Sequence, residues 1–127
     1  MNNKINEWIC NDKLIVEESN YVVVPEGIYM AEYVGTQRRV SETGEYYMHK
    51  WKVANKQGEI NEITELSSVK LTDSTKLGGI VKALGFDLEK NKEFTLNDLV
   101  GKKCQLIIKI VIKNGDKRNN ITEHLKL

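Results

Sequence analysis

The chain has 127 residues, the size of one domain with a single hydrophobic core, and its 19 Lys and Arg residues nearly balance its 18 Asp and Glu residues. This balance excludes the strongly basic class of nucleic-acid-binding module, so recognition of an anionic partner would depend on where the cations lie. No apolar run is long enough for a signal peptide or a membrane span, which predicts a cytoplasmic protein that does not contact a membrane.

Residues 1–24 are predicted to form an extension in front of a single domain that spans residues 25–127. Ile5, Trp8 and Ile9 have the i, i+3, i+4 spacing of a helix, although neighbouring Asn and Asp residues lower the helix propensity. Residues 21–24 add a short strand. Two interpretations of the extension stay open: it packs on the domain or on another subunit, where it would assist formation of a homo-oligomer, or it is a disordered tail.

Residues 27–53 are predicted to form the β-hairpin around which the domain is organised. The first strand ends in a loop that carries Arg38 and Arg39 and closes at Ser41-Glu42-Thr43-Gly44. In the second strand, side chains alternate between two faces of the sheet. The core face is predicted to carry Tyr47, His49, Trp51 and Val53, and the opposite face is predicted to carry Tyr46, Met48, Lys50 and Lys52. A bulge would invert this phase, so whether Tyr46 or Tyr47 is exposed stays open.

A third strand and a helix are predicted next. Residues 59–66 form the strand, and the helix follows from the spacing of Leu77, Ile80, Val81 and Leu84. Asp73 or Ser74 is expected to cap the start of this helix, and Gly85 is expected to end it in a left-handed conformation. Gly78 and Gly79 inside the helix indicate either a close backbone approach or a tolerated pair.

The last part of the chain is predicted to be a short helical turn and a β-hairpin. Residues 95–101 form the turn, residues 102–113 form the longest strand, and residues 120–127 form the final strand. Asn114-Gly115 between these strands is the strongest short-range signal for a tight hairpin turn.

This order of elements is that of an OB-fold, a mainly β, five-stranded Greek-key barrel with one helix between strands 3 and 4. In an OB-fold the ligand lies across strands 2 and 3 and is held by the loops that join strands 1 and 2 and strands 4 and 5. Those loops are predicted to carry five cations: Arg38, Arg39, Lys113, Lys117 and Arg118. Tyr46, Lys50 and Lys52 lie between them.

Cations beside aromatic rings favour binding of single-stranded nucleic acid, because cations neutralise phosphates and rings stack on bases. The alternative interpretation is that the loops are basic only because they are exposed, and that Tyr46 packs in the core.

The sequence has no pattern that indicates catalysis, a metal or a cofactor. His49 and His124 have no Cys or Asp at ligand spacing, and the glycines match no phosphate-binding loop. Cys10 and Cys104 are far apart and form no CxxC pair, so they are expected to be reduced thiols. We therefore expect a protein that is not an enzyme.

Five short segments of residues 25–127 resemble a family of phage-encoded single-stranded DNA-binding proteins with an OB-fold. They are Pro25-Glu26-Gly27-Ile28-Tyr29, Ser41-Glu42-Thr43-Gly44-Glu45-Tyr46-Tyr47, Trp51-Lys52-Val53, the helix positions Leu77, Ile80, Ala83, Leu84 and Gly85, and Asp98-Leu99-Val100-Gly101-Lys102. The resemblance implies sequence-tolerant binding of single-stranded DNA in phage or mobile-element replication or recombination, in the host cytoplasm and with no cofactor. Host or phage replication and recombination proteins would be further partners.

By position, the resemblance implies a role for nine residues. Phosphate contacts fall to Arg38, Arg39, Lys50, Lys52, Lys113, Lys117 and Arg118, and stacking falls to Tyr46, with Tyr33 as a second candidate. The alternative hypothesis is a protein-binding OB module that blocks or recruits a host protein.

Overall fold

The computed structural model describes residues 23–89, 93 and 95–127. The elements, in chain order, are β1 (Gly27–Ser41), β2 (Gly44–Ala54), β3 (Ile60–Ser68), α1 (Lys76–Ala83), a 3-10 turn (Leu96–Leu99), β4 (Lys103–Lys113) and β5 (Asp116–Leu125). The helical spacing in residues 1–22 and the expected role of that segment in self-association lie outside the described residues. Val23 and Val24, from the predicted short strand, are not in a strand; the Asn119 side chain of β5 instead holds Val24 by two hydrogen bonds of 2.8 Å.

The five strands of the described residues form one antiparallel sheet in the order β3-β2-β1-β4-β5. This order and the helix between β3 and β4 confirm the predicted mainly β, OB-like fold. The expectation of a closed barrel is corrected, because no backbone ladder joins β3 to β5 in the described part of the chain. A side-chain contact bridges these two strands instead: Glu65 Oε2 of β3 lies 2.7 Å from His124 Nε2 of β5.

The core lies between the inner face of the sheet and α1. His49, Trp51 and Val53 are buried, as the alternation in β2 predicted. Trp51 lies opposite Tyr33 in the β1–β2 ladder, and the two rings meet edge to face with 5.1 Å between their centroids. The helix packs against β3 and β5, and the apolar positions that its spacing predicted, Leu77, Ile80, Val81 and Leu84, are buried. On β4 the core ends at Ile108, because Ile110 is only half-buried and Ile112 is exposed.

The N-cap of the helix lies one or two residues later than predicted, and the helix ends where predicted. Its N-cap is Thr75, whose hydroxyl accepts a hydrogen bond from the Gly78 amide, and not Asp73 or Ser74. At the other end, Gly85 has a φ of 98° and the Phe86 amide donates to the Val81 carbonyl. Together with the Gly85 amide bond to the Lys82 carbonyl, this forms the left-handed C-terminal motif that the sequence indicated.

In both hairpins the strands continue closer to the turn than predicted, and this changes where the cations lie. β1 continues to Ser41 and only residues 42 and 43 form the turn, so Arg38 and Arg39 belong to a strand and not to a loop. Asn114 and Gly115 both have positive φ, 52° and 82°, which confirms the predicted tight turn. β5 therefore begins at Asp116 and not at residue 120, and it includes Lys117 and Arg118.

Candidate nucleic-acid interface

The solvent-facing side of β1, β2 and β3, which we call the outer face, carries four of the nine predicted site residues, Arg39, Tyr46, Lys50 and Lys52. Strand pairing arranges the side chains of this face in four rows, each of which runs from β1 through β2 to β3. The rows are Arg39, Tyr46 and Ser68; Gln37, Met48 and Leu66; Gly35, Lys50 and Thr64; and Glu32, Lys52 and Glu62. Directly opposite residues on one face of an antiparallel pair are close enough to interact. Tyr46, Lys50 and Lys52 thus form a line along β2, as alternation predicted.

A β-bulge in β1 decides which of its residues join this face. The register shifts between Tyr33 and Gly35, which leaves Val34 without a partner in β2. Because of this extra residue, Gly35, Gln37 and Arg39 lie on the outer face, whereas odd-numbered residues before the bulge point into the core.

Alternation along β1 places the two adjacent arginines on opposite sides of the sheet, and the bulge decides which side each of them takes. Arg39 lies opposite Tyr46, and its Nη2 donates to Gln37 Oε1 at 2.8 Å. Arg38 lies opposite Tyr47 on the other side of the hairpin, with its guanidinium carbon 5.9 Å from the centre of that ring, and it forms an ion pair with Glu45. Of the two arginines, Arg39 shares a surface with Tyr46.

Tyr33 cannot stack on a base, so this part of the predicted site is wrong. It is fully buried, and its hydroxyl lies 2.7 Å from His49 Nδ1. Its place in the sequence before the bulge puts it on the core face, and burial raises the pKa of its phenol.

The cations of the β4–β5 hairpin lie apart from the outer face. The first residue of β1, Gly27, pairs with Ile108 of β4, and β4 then extends beyond the start of β1 to Lys113. The β1–β2 turn follows the last residue of β1, at its other end. The two turns therefore extend from opposite ends of β1 in the strand pairing, and the expectation that they hold one ligand between them stays a prediction. Lys117 and Arg118 lie opposite Ile112 and Val111 in this second hairpin.

Weak interactions leave the cations of the outer face accessible. Lys50 Nζ lies 3.7 Å from Glu62 Oε2, and both side chains are about half exposed. An exposed pair of this kind contributes little to stability, so a phosphate can compete for the lysine. Arg39 and Lys52 form no ion pair with any described residue.

Sequence reasoning missed a buried polar network beneath this face. His49 Nε2 lies 2.7 Å from Ser67 Oγ, and that hydroxyl donates to the Ser68 carbonyl, so it must accept from His49. His49 Nδ1 then accepts from the Tyr33 hydroxyl. Burial lowers the pKa of His49 to about 4, which keeps the ring neutral at pH 7.

A second part of the network is centred on Glu65. Its Oε2 accepts hydrogen bonds of 2.7 Å from Trp51 Nε1 and from His124 Nε2. Cys104, a free thiol as expected, is buried nearby, and burial raises its pKa to about 12. These groups are packed in the core without contact to the outer face, which makes them structural. Only the pairing of distant strands brings them together, so no local pattern could have revealed them.

The described residues contain no metal site and no membrane-spanning helix. No group of three or more His, Cys, Asp or Glu residues in this part of the chain is arranged to hold a metal ion. No described helix has the length and apolar character needed to cross a membrane. No known protein family matches the chain, and no curated protein is significantly similar to it.

Proposed function

We propose that this protein binds single-stranded DNA, with little sequence preference, through the outer face of β1, β2 and β3. The observation that carries the proposal is the line of Tyr46, Met48, Lys50 and Lys52 along β2, with Arg39 beside it. Tyr46 and Met48 are half-buried, so each is held by the sheet and still offers surface to a base. Lysine and arginine on the same face neutralise phosphates, and stacking on a ring tolerates every base because each base has a π-face.

The proposed biological setting rests on the family resemblance of residues 25–127. Phage-encoded single-stranded DNA-binding proteins act in replication and recombination inside the host cell, and we assign this chain the same role in the cytoplasm. It would act without a cofactor and without catalysis, with host or phage replication and recombination proteins as further partners. Only a DNA strand long enough to extend beyond the outer face would contact Lys113, Lys117 and Arg118.

The adjacent arginines provide a matched test. Fluorescence anisotropy with labelled oligo-dT should give an affinity that falls as salt rises, because binding releases counterions. Arg39→Ala should weaken binding and reduce the slope of log K against log salt by about 0.7, the value for one phosphate contact on a single strand. Arg38→Ala should leave the slope unchanged, because Arg38 lies on the other side of the hairpin. Absence of binding at low salt, or equal effects of the two substitutions, would refute the proposed interface.

A second candidate function is supported by the apolar end of the outer face. Met30 lies opposite Ala54, which lies opposite Ile60, and Ile28 and Ile60 are 64% and 66% exposed. A hollow of about 280 Å³ lies among Met30, Ala54 and Ile60. Exposed apolar surface of this kind suits a protein partner, in agreement with the hypothesis of a module that blocks or recruits a host protein. Capture of a host protein from nuclease-treated lysate, lost in Ile60→Asp, would favour this function.

A further inference from the structure

The bulge in β1 creates a hollow of about 370 Å³ on the outer face, which we call the bulge hollow. Gly35 lies in its wall, with Gln37, Arg39, Met48 and Lys50 around it. Gly35, Gln37 and Arg39 lie on the outer face after the bulge, opposite Lys50, Met48 and Tyr46. The hollow is therefore open to the same side on which we place the DNA.

Glycine at position 35 keeps the hollow empty. A Cβ atom placed there would meet no atom within 4 Å, and the φ of this residue is not in the left-handed region. The backbone therefore does not require glycine here, and neither does the packing. A side chain at this position would project into the hollow from a strand, whereas glycine lets a flat group lie against the backbone.

The groups around the hollow have the chemistry of a nucleobase site. Met48 offers an apolar, polarisable thioether, which contacts aromatic rings favourably. Arginine only donates hydrogen bonds, so the Gln37 oxygen must face Arg39 Nη2, 2.8 Å away, and the NH₂ group of the amide is left to donate elsewhere. Arg39 and Lys50 lie on either side of Met48 along the face.

We propose that the bulge hollow receives one unstacked nucleobase of the bound strand, which rests on Met48 and the Gly35 backbone. Gln37 donates a hydrogen bond to an acceptor on the edge of that base, and Arg39 and Lys50 contact the phosphates on its two sides. This inference rests on the proposed function and adds a specific base site to it.

Gly35→Val tests the inference because valine favours a strand and fills the hollow without a change of charge. The probes are oligo-dT and an abasic strand of the same length, which keeps the phosphates and lacks the bases. Wild-type protein should bind oligo-dT more tightly than the abasic strand. Gly35→Val should bind oligo-dT roughly 5- to 150-fold more weakly, the range for loss of one stacked base, with an unchanged salt slope and an unchanged affinity for the abasic strand.

Two further variants keep the test valid even if valine at position 35 destabilises the fold. Gly35→Ala fills less of the hollow and should give a smaller loss on oligo-dT with the same abasic affinity. Gly79→Ala, at a helical glycine that also meets no atom within 4 Å, should bind both strands as the wild type does. Circular dichroism and thermal melting establish that each variant is folded.

The possible outcomes separate this inference from the proposed function. If folded Gly35→Val and Gly35→Ala bind oligo-dT as tightly as the wild type does, the base site is overturned and DNA binding stays in place. An equal loss on both strands would also overturn it, because the substitution would then act through the phosphate contacts. Failure of the wild type to bind either strand at low salt would overturn both proposals.

Discussion

Alanine at Gly78 is expected to destabilise the protein, although replacement of a helical glycine by alanine usually stabilises it by about 1 kcal/mol. A Cβ atom at Gly78 would lie 1.8 Å from the Thr72 carbonyl oxygen, far inside the 3.0 Å that real Cβ atoms respect. The Thr72 carbonyl is held in place, because it accepts hydrogen bonds from the amide and the hydroxyl of Thr75 at 3.3 and 3.1 Å. The helix or its cap must therefore move by more than 1 Å.

The size of the effect follows from three contributions. Overpacking costs about 1–3 kcal/mol, and displacement of Thr75 as N-cap costs about 1 kcal/mol more. The intrinsic preference for alanine offsets about 1 kcal/mol of this. We expect Gly78→Ala to lower the free energy of unfolding by about 1–3 kcal/mol. Gly79→Ala, whose Cβ would meet no atom within 4 Å, should raise it by about 0.5–1 kcal/mol.

Urea denaturation followed by circular dichroism measures both variants. The midpoints should move in opposite directions while the m-value stays that of the wild type, because the surface exposed on unfolding does not change. A shift of both midpoints in the same direction would refute the close approach of the Thr72 carbonyl to α1.

Three further predictions concern the buried polar groups. Glu65→Ala should lower the free energy of unfolding by about 3–5 kcal/mol in the same assay, because it leaves two buried N–H donors without an acceptor. The control Glu62→Ala, at an exposed position, should change it by less than about 0.5 kcal/mol. Similar losses in the two variants would contradict this prediction. The pKa of His49 is about 4 in the folded protein, whereas in the unfolded chain His49 is protonated below about pH 6.5. The free energy of unfolding should therefore fall by up to about 3 kcal/mol between pH 6.5 and pH 4, and it should fall less in His49→Asn. Equal pH dependence of stability in the wild type and in His49→Asn would contradict this prediction. Cys104, whose pKa burial raises to about 12, should resist iodoacetamide at pH 8 until urea unfolds the protein, as mass spectrometry of its peptide can show.

Local patterns in the sequence predicted most of the fold. Alternation along β2 placed His49, Trp51 and Val53 in the core because the side-chain period of a strand is two. Asn114 and Gly115 predicted their turn because both adopt positive φ readily. The predicted N-cap, Asp73 or Ser74, was wrong by one or two positions, since Asp73, Ser74 and Thr75 all carry a capping oxygen and only the path of the chain decides among them.

The candidate site could be predicted only in part, because it depends on pairing between distant strands. Arg38 and Arg39 lie on opposite sides of the sheet because they are adjacent in a strand, and the bulge after Tyr33 decides which of the two reaches the outer face. Alternation alone cannot reveal this bulge. The register of β1 against β4 then places the β4–β5 turn at the far end of β1, a non-local property that cation counts in loops do not contain. The line of Tyr46, Lys50 and Lys52 was predictable because it lies within one strand.

The central claim is that the outer face of β1, β2 and β3 binds single-stranded DNA, and an NMR titration of the labelled protein with oligo-dT tests it most directly. Backbone amide shifts should change along β2 from Tyr46 to Lys52 and in the facing part of β1 around Gly35 and Arg39. Oligo-dT that leaves these amides unchanged, or that shifts only those of the β4–β5 hairpin, would contradict the account.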